Sequence, residues 1–222
     1  MKVVFIRCAT ESLGIEYLSA ALKAAGHETA LVYEPLLFRS FRLDIGRLET
    51  SKAADTARRI LALNPGLAGF SVESDYYGWA LEVASELKKI SGIPVVFGGI
   101  HPTLVPEKIL DHSCVDFVCV GDGEKAVVEL ADALQRGRGA DGIGNIWARS
   151  RCGILKNQVA FSSAPDAGLT PDKDLFFDEY PGFISDSYSV ITGRGCPNAC
   201  SYCHNSSLKN KMAEIGASGP RF

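Results

Sequence analysis

The chain has no surplus of positive charge: 23 Lys and Arg stand against 26 Asp and Glu, a formal net charge of −3. Proteins that hold nucleic acid through its backbone need a basic patch or stripe, so nucleic acid is not expected as a partner. Long apolar runs are absent as well. No stretch approaches the roughly 20 apolar residues that span a bilayer. The opening run Val3–Ile6, halted by Arg7, is too short for the apolar part of a secretion signal. A soluble, cytoplasmic protein is expected. A disulfide framework is missing too. Of seven cysteines, Cys8, Cys114, Cys119 and Cys152 are scattered, and Cys8 and Cys119 sit in apolar runs suited to buried free thiols. There are no internal repeats and no low-complexity tracts. What remains is ordinary globular composition, 46% hydrophobic and 22% charged over 222 residues. That is enough for a real core, in one large domain or one domain with part of another.

Short apolar runs alternate with amphipathic helical stripes from Lys2 to about Gly137. The runs Val3–Cys8, Thr29–Tyr33, Leu67–Val72, Pro94–Gly99 and Asp116–Gly121 lack the polar alternation of a one-faced strand. Strands of a parallel sheet covered on both faces have this pattern. Between them, Ile15, Leu18, Leu22 and Ala25 open a series of stripes at helical spacing, followed by stripes from Ala53, Trp79 and Val127. Pro106 suits the first turn of a further short helix. The expected fold is a doubly wound, Rossmann-like or flavodoxin-like α/β domain with a five-stranded parallel sheet over residues 1–142. A small β appendage follows, with candidate strands Asn145–Arg149 and Ile154–Val159, and then a linker, the two together covering residues 143–186. A single strand, Tyr188–Thr192, then leads into a cysteine loop.

In such a sheet, ligands bind beyond the carboxyl ends of the strands, at the crevice where strand order reverses. The segments at those ends supply the candidates. They are Thr10, Glu11, Ser12, Leu13 and Gly14 after the first strand, and Ser71, Val72, Glu73, Ser74 and Tyr77 after the third. Gly98, Gly99, His101, Pro102 and Thr103 follow the fourth, and Gly121, Asp122, Gly123 and Glu124 follow the fifth. Glycine permits close approach of a bulky ligand, and hydroxyls and helix N-termini offer hydrogen bonds. Plainer readings stand beside these. Glycine-rich turns occur throughout α/β domains, the run Gly121–Glu124 also makes a good helix start, and His101 is either an axial ligand or a simple loop histidine.

Cys196, Cys200 and Cys203 form a C-x3-C-x2-C cluster. Three thiolates at this spacing can hold three irons of a cubane [4Fe–4S] cluster and leave the fourth open to a small molecule. A structural zinc site with His204 as fourth ligand is the alternative, although the second, distant cysteine pair common in such sites is missing.

The run Gly193-Arg-Gly-Cys196, with Cys200, Tyr202 and Cys203, resembles the radical S-adenosylmethionine enzymes. The residues before it resemble the cobalamin-binding domain of their B12-dependent branch, through Leu13–Ala21, Gly69–Val72, Gly98–Thr103 and Gly121–Glu124. The resemblance implies cobalamin held by the four turns, a [4Fe–4S] cluster on the three cysteines and S-adenosylmethionine beside Tyr202. It also implies an electron donor such as flavodoxin or ferredoxin, a small-molecule substrate, and methylation of an unactivated carbon or a related cyclisation. The D-x-H-x-x-G motif of mutase-type domains departs here: with its glycine at Gly14, Ala9 and Glu11 stand at the Asp and His positions. Cobalamin is therefore expected base-off, without a histidine ligand at the usual place. Nineteen residues follow Cys203, so residues 187–222 are expected to hold only the start of a radical domain. Cobalamin binding without turnover is the expectation, with a cluster poorly assembled or missing. The other reading is a non-catalytic flavodoxin-like or receiver-like module with a zinc-type cysteine cluster. A receiver needs paired acids after the first strand and an Asp after the third, whereas Glu11 stands alone and the third run ends in Ser71-Val-Glu73.

Overall fold

Apolar side chains on both faces of every central strand leave one stable arrangement, a parallel sheet covered by helices on either side. In the computed structural model, which describes residues 1–35, 52–150, 152–161, 169–178, 189–191, 193–198 and 200–217, that arrangement is found. Strands β1 (Lys2–Cys8), β2 (Glu28–Glu34), β3 (Leu67–Ser71), β4 (Val95–Gly98) and β5 (Phe117–Cys119) pair in parallel. The appended pair β6 (Ile146–Ser150) and β7 (Gly153–Lys156) adds antiparallel to β5, so the sheet has seven strands in the order β2-β1-β3-β4-β5-β6-β7. The β appendage thus extends the main sheet, and strand order reverses between β1 and β3.

Helices α1 (Leu13–Ala24) and α6 (Glu124–Gln135) cover one face, burying Ile15, Leu22, Val127 and Leu130 against Phe5 and Val96. On the other face α2 (Ala53–Ala62) and α3 (Tyr77–Ile90) bury Ile60, Val83 and Leu87 against Ile6, Phe70 and Phe97. Two short helices follow β4, α4 (Ile100–Leu104) and α5 (Pro106–Leu110), the second opening on Pro106 as its sequence predicts.

Two later segments dock on this body. Helix α7 (Asp174–Phe177) drives Leu175 and Phe176 into the α1/α6 side, with Phe176 wholly enclosed and edge-on to Tyr33. Burying such side chains stabilises by roughly 1.5–3 kcal/mol each, comparable to ordering this short stretch of backbone. The linker is therefore anchored here. Helix α8 (His204–Glu214), after the cysteines, packs Leu208 and Met212 onto the α2/α3 side, and its Lys211 lies 3.7 Å from Glu107 of α5. The strand expected at 188–192 lies partly outside the described residues. Residues 189–191, which are described, are not part of a strand, since a strand exists only where a neighbour's ladder receives it.

Candidate functional site

Above the α1/α6 face of the sheet, at the carboxyl ends of the strands, lies a cavity of about 390 Å³. Phe5, Gly69, Val96 and Cys119 form its floor and Ile15, Leu18, Val127 and Leu130 its walls. Side chains alternate across a strand, so Gly69 points to this face between the apolar Leu67 below and Ser71 at the rim. A Cβ on Gly69 would stand 3.3 Å from Phe5 Cδ1, so the missing side chain is part of what keeps the space open. Burial, with the Glu124 and Asp122 carboxylates nearby, pushes the Cys119 thiol up to about 12. It is an apolar wall, not a thiolate. Gly99, at φ +99°, turns the chain into α4 where a Cβ would meet the Val72 carbonyl oxygen at 2.9 Å, a place only glycine fills.

Of the expected residues, Gly14, Ser71, Gly98, Gly99, Gly121, Asp122, Gly123 and Glu124 line this cavity. The others frame the same edge. Ser12 caps α1, its hydroxyl accepting from the Ile15 amide at 3.4 Å, and Leu13 begins the helix. Thr103 donates to the Gly99 carbonyl at 2.8 Å and accepts from the Gly121 amide at 3.1 Å, tying the β4 and β5 turns together. Val72 accepts from the His101 amide, and Pro102 is buried in α4. Arg7, 3% exposed, donates to Thr10 Oγ1 at 2.8 Å, Glu73 Oε1 at 2.6 Å and the Ser71 carbonyl at 3.4 Å. One buried guanidinium thus fastens the β1 and β3 loops across the switch point.

Ser74, Tyr77 and His101 gather outside the cavity. Ser74 Oγ is 2.9 Å from His101 Nδ1, the Tyr77 ring lies 4.4 Å from the imidazole, and the Tyr77 hydroxyl is 2.8 Å from His112 Nε2. Desolvation lowers the His101 pKa, favouring the neutral imidazole.

Glu11 faces the linker instead of the cavity. Lys173 Nζ stands 2.9 Å from both Glu11 Oε1 and Glu16 Oε2, and the Glu16 side chain has no solvent exposure. Burial outweighs the ammonium and pushes the Glu16 carboxyl up to about 7 from its ordinary 4.5. The protonated acid therefore stabilises the fold fully below about pH 4.5, and that contribution is lost as pH rises through about 7. Glu16→Gln keeps the neutral shape at every pH. Between about pH 5 and about pH 8 its urea midpoint should gain on the wild type, by a difference of at most about 3 kcal/mol. Parallel pH profiles for the two proteins would refute this assignment.

The three cysteines are half-buried and the Cys203 amide donates to the Cys200 carbonyl at 3.1 Å. Their donor set suits iron–sulfur chemistry. Among the described residues, however, no three Cys, His, Asp or Glu side chains converge as a metal site. Tyr202 is 92% exposed.

Phe5, Leu18 and Arg194 line the cavity although the turn motifs did not point to them, and Arg7 and Lys173 brace the loops around it. A charge inside the apolar run Val3–Cys8 was the available signal for Arg7. Lys173 and Arg194 meet their partners only through long-range folding.

An order of β2-β1-β3-β4-β5, a switch point and an apolar, glycine-floored cavity under α1 and α6 define a flavodoxin-like domain with its cavity where such folds bind ligands. Residues 6–131 match the family described as the B12 binding domain, and the chain belongs to that family. The apolar cavity kept open by Gly69 has a lining that would suit an organic group of a cobalamin. An uncharacterized methyltransferase of Pyrococcus horikoshii is 28% identical over 214 residues, 93% of this chain and 46% of that protein. The hopanoid C-3 methylase of Methylococcus capsulatus is 27% identical over 90% of this chain and 36% of its own length. The chain spans less than half the length of these curated relatives. Among solved structures, the cobalamin-dependent S-adenosylmethionine radical enzyme OxsB with aqua-cobalamin and S-adenosylmethionine bound superposes with a TM-score of 0.72. The match has 18% identity and covers 91% of this chain and 28% of that one, a likeness of fold.

Proposed function

We propose that this chain is the cobalamin-binding part of a radical S-adenosylmethionine enzyme that methylates an unactivated carbon or carries out a related cyclisation. The observation that carries the reading is the cavity floored by Gly69 at the carboxyl edge of the sheet, within the residues that match the B12 binding domain. When bound, cobalamin supplies a transferable methyl group and a [4Fe–4S] cluster supplies the electron that cleaves S-adenosylmethionine. The protein's share is binding, orientation and exclusion of water. Phe5, Val96 and Leu18 offer an apolar sleeve for the nucleotide base, and Ser71 with the Gly98–Gly99 and Gly121–Gly123 turns lies at the rim where the corrin would rest. Arg7 holds the β1 and β3 loops in register, and Thr103 does the same for the β4 and β5 turns. Cys196, Cys200 and Cys203 are the cluster ligands in this reading, with Tyr202 beside S-adenosylmethionine and a flavodoxin or ferredoxin as electron donor.

Incubation with hydroxocobalamin followed by desalting should leave a red protein carrying about one corrinoid per chain. A colourless eluate would overturn the reading. With Glu11 held by Lys173 and no histidine in the β1 loop, the cob(II)alamin form should be base-off. Its electron paramagnetic resonance spectrum should therefore show no nitrogen splitting on cobalt; splitting would assign a nitrogen ligand instead.

A further inference from the structure

Two cavities share a border that includes Arg194. The first is the space floored by Gly69. The second, of about 400 Å³, lies beside it against Asn145 and Phe161. Tyr17, Asp122, Glu124 and Arg194 border both. Arg194 stands two residues before Cys196, outside the matched family region, yet its side chain is only 13% exposed. Nη1 lies 3.3 Å from Asp122 Oδ1, Nη2 bonds Glu124 Oε1, and the guanidinium carbon stands 5.9 Å from the Tyr17 ring centre. Asp122 and Glu124 are themselves only 11% and 14% exposed.

The Arg194 pairs join the residues just before the cysteines to the turn between β5 and α6. A buried ion pair has alternatives of similar stability, but losing one partner is costly because the other charge stays behind unpaired. Here the Asp122 and Glu124 carboxylates would lose that cation at the edge of a cavity read as holding an anionic phosphodiester. With Arg194 in place the mouth carries a net charge of about −1; without it, about −2, with the two cavities open to each other.

We infer that Arg194 is a latch: it closes the tail cavity behind a bound nucleotide and fastens the residues before the cysteine loop to the corrin-side turn. The inference rests on the cobalamin reading and adds a positioning residue to it. It ties possession of the tail to the placement of the cysteines. A corrinoid that reaches into the cavity is held by the latch, and one without a nucleotide tail is not.

Cobinamide, which lacks the nucleotide tail, separates these cases. The protein is loaded with cobalamin or cobinamide, and release is followed by absorbance after dilution into a corrinoid-scavenging protein. Arg194→Gln should release cobalamin about 10- to 100-fold faster, the scale of a lost charge-assisted pair, and cobinamide at the wild-type rate. Arg194→Lys, which keeps the charge but loses the fork, should fall between. Equal acceleration of both corrinoids, or of neither, overturns the latch. Hydrogen exchange of the free protein supplies the ligand-independent arm: the amides of residues 193–196 and Asn198 should exchange faster in Arg194→Gln, while those of β1 and β3 keep their protection. Unchanged exchange overturns the fastening whatever the corrinoid does. Wild-type protein that takes up neither corrinoid overturns the functional reading and tail trapping with it, while the exchange contrast still decides whether Arg194 holds the loop.

Discussion

Gly69→Ile should abolish cobalamin uptake, with affinity falling by about 100-fold or more, and leave a folded protein. The added side chain enters the cavity between the Phe5 ring, 3.3 Å from the new Cβ, and Val96 Cγ1 at 3.7 Å. The floor has little room to give, but the cavity above it has. A β-branched residue also suits a central strand. Overpacking at such a site costs about 1–3 kcal/mol, tolerable for a domain of this size. A 100-fold loss of binding corresponds to about 2.7 kcal/mol, which steric exclusion of a base from a filled sleeve readily exceeds. Gly92→Ala is the control: it is exposed and its new carbon meets nothing within 4 Å, so binding should not change. Circular dichroism and a urea midpoint verify the fold. Wild-type affinity in Gly69→Ile would move the ligand out of this cavity altogether.

The triple change Cys196→Ala, Cys200→Ala, Cys203→Ala should have an equally large effect on a different readout. Anaerobic reconstitution of the wild type should incorporate iron, though less than the about four per chain of a complete cluster, and the variant essentially none. Cobalamin uptake should be unaffected, because none of the three thiols lines the tail cavity. Iron and zinc analysis of the two proteins also separates the alternative reading. His204 follows Cys203 directly at the start of α8, so a protein that takes up one zinc and no iron, and loses it in both the triple variant and His204→Ala, would be a structural zinc site.

The stripe from Ile15 to Leu22 and the five apolar runs were legible in the sequence because helix and strand periodicity are local properties. The same holds for Pro106 as a helix start and for the glycines after β4 and β5. Neighbouring residues decide each of them within a turn or two. The turns around Gly14, Ser71, Gly98 and Gly121 all border the cavity, since a strand's carboxyl end follows from its direction alone. Ser74, Tyr77 and His101 sit beside the cavity, not in it, because α4 and the turn before α3 carry them sideways, and helix direction after a turn is set by packing. Asp122 and Glu124 reach the cavity as expected, but the charge they meet is a cation that sequence spacing could not supply.

By itself the sequence determined the covered parallel sheet, the order of its elements and the cysteine spacing, encoded in unbroken apolar runs and in spacings of three and four residues. The tertiary structure alone decided what fills the space between them. It joined β6 and β7 to the edge of β5, set Phe176 and Lys173 against α1, opened a cavity over Gly69, and laid Arg194 on Asp122 and Glu124 from 70 residues away. Contacts at that separation depend on shape and charge meeting in space, and no local pattern records them.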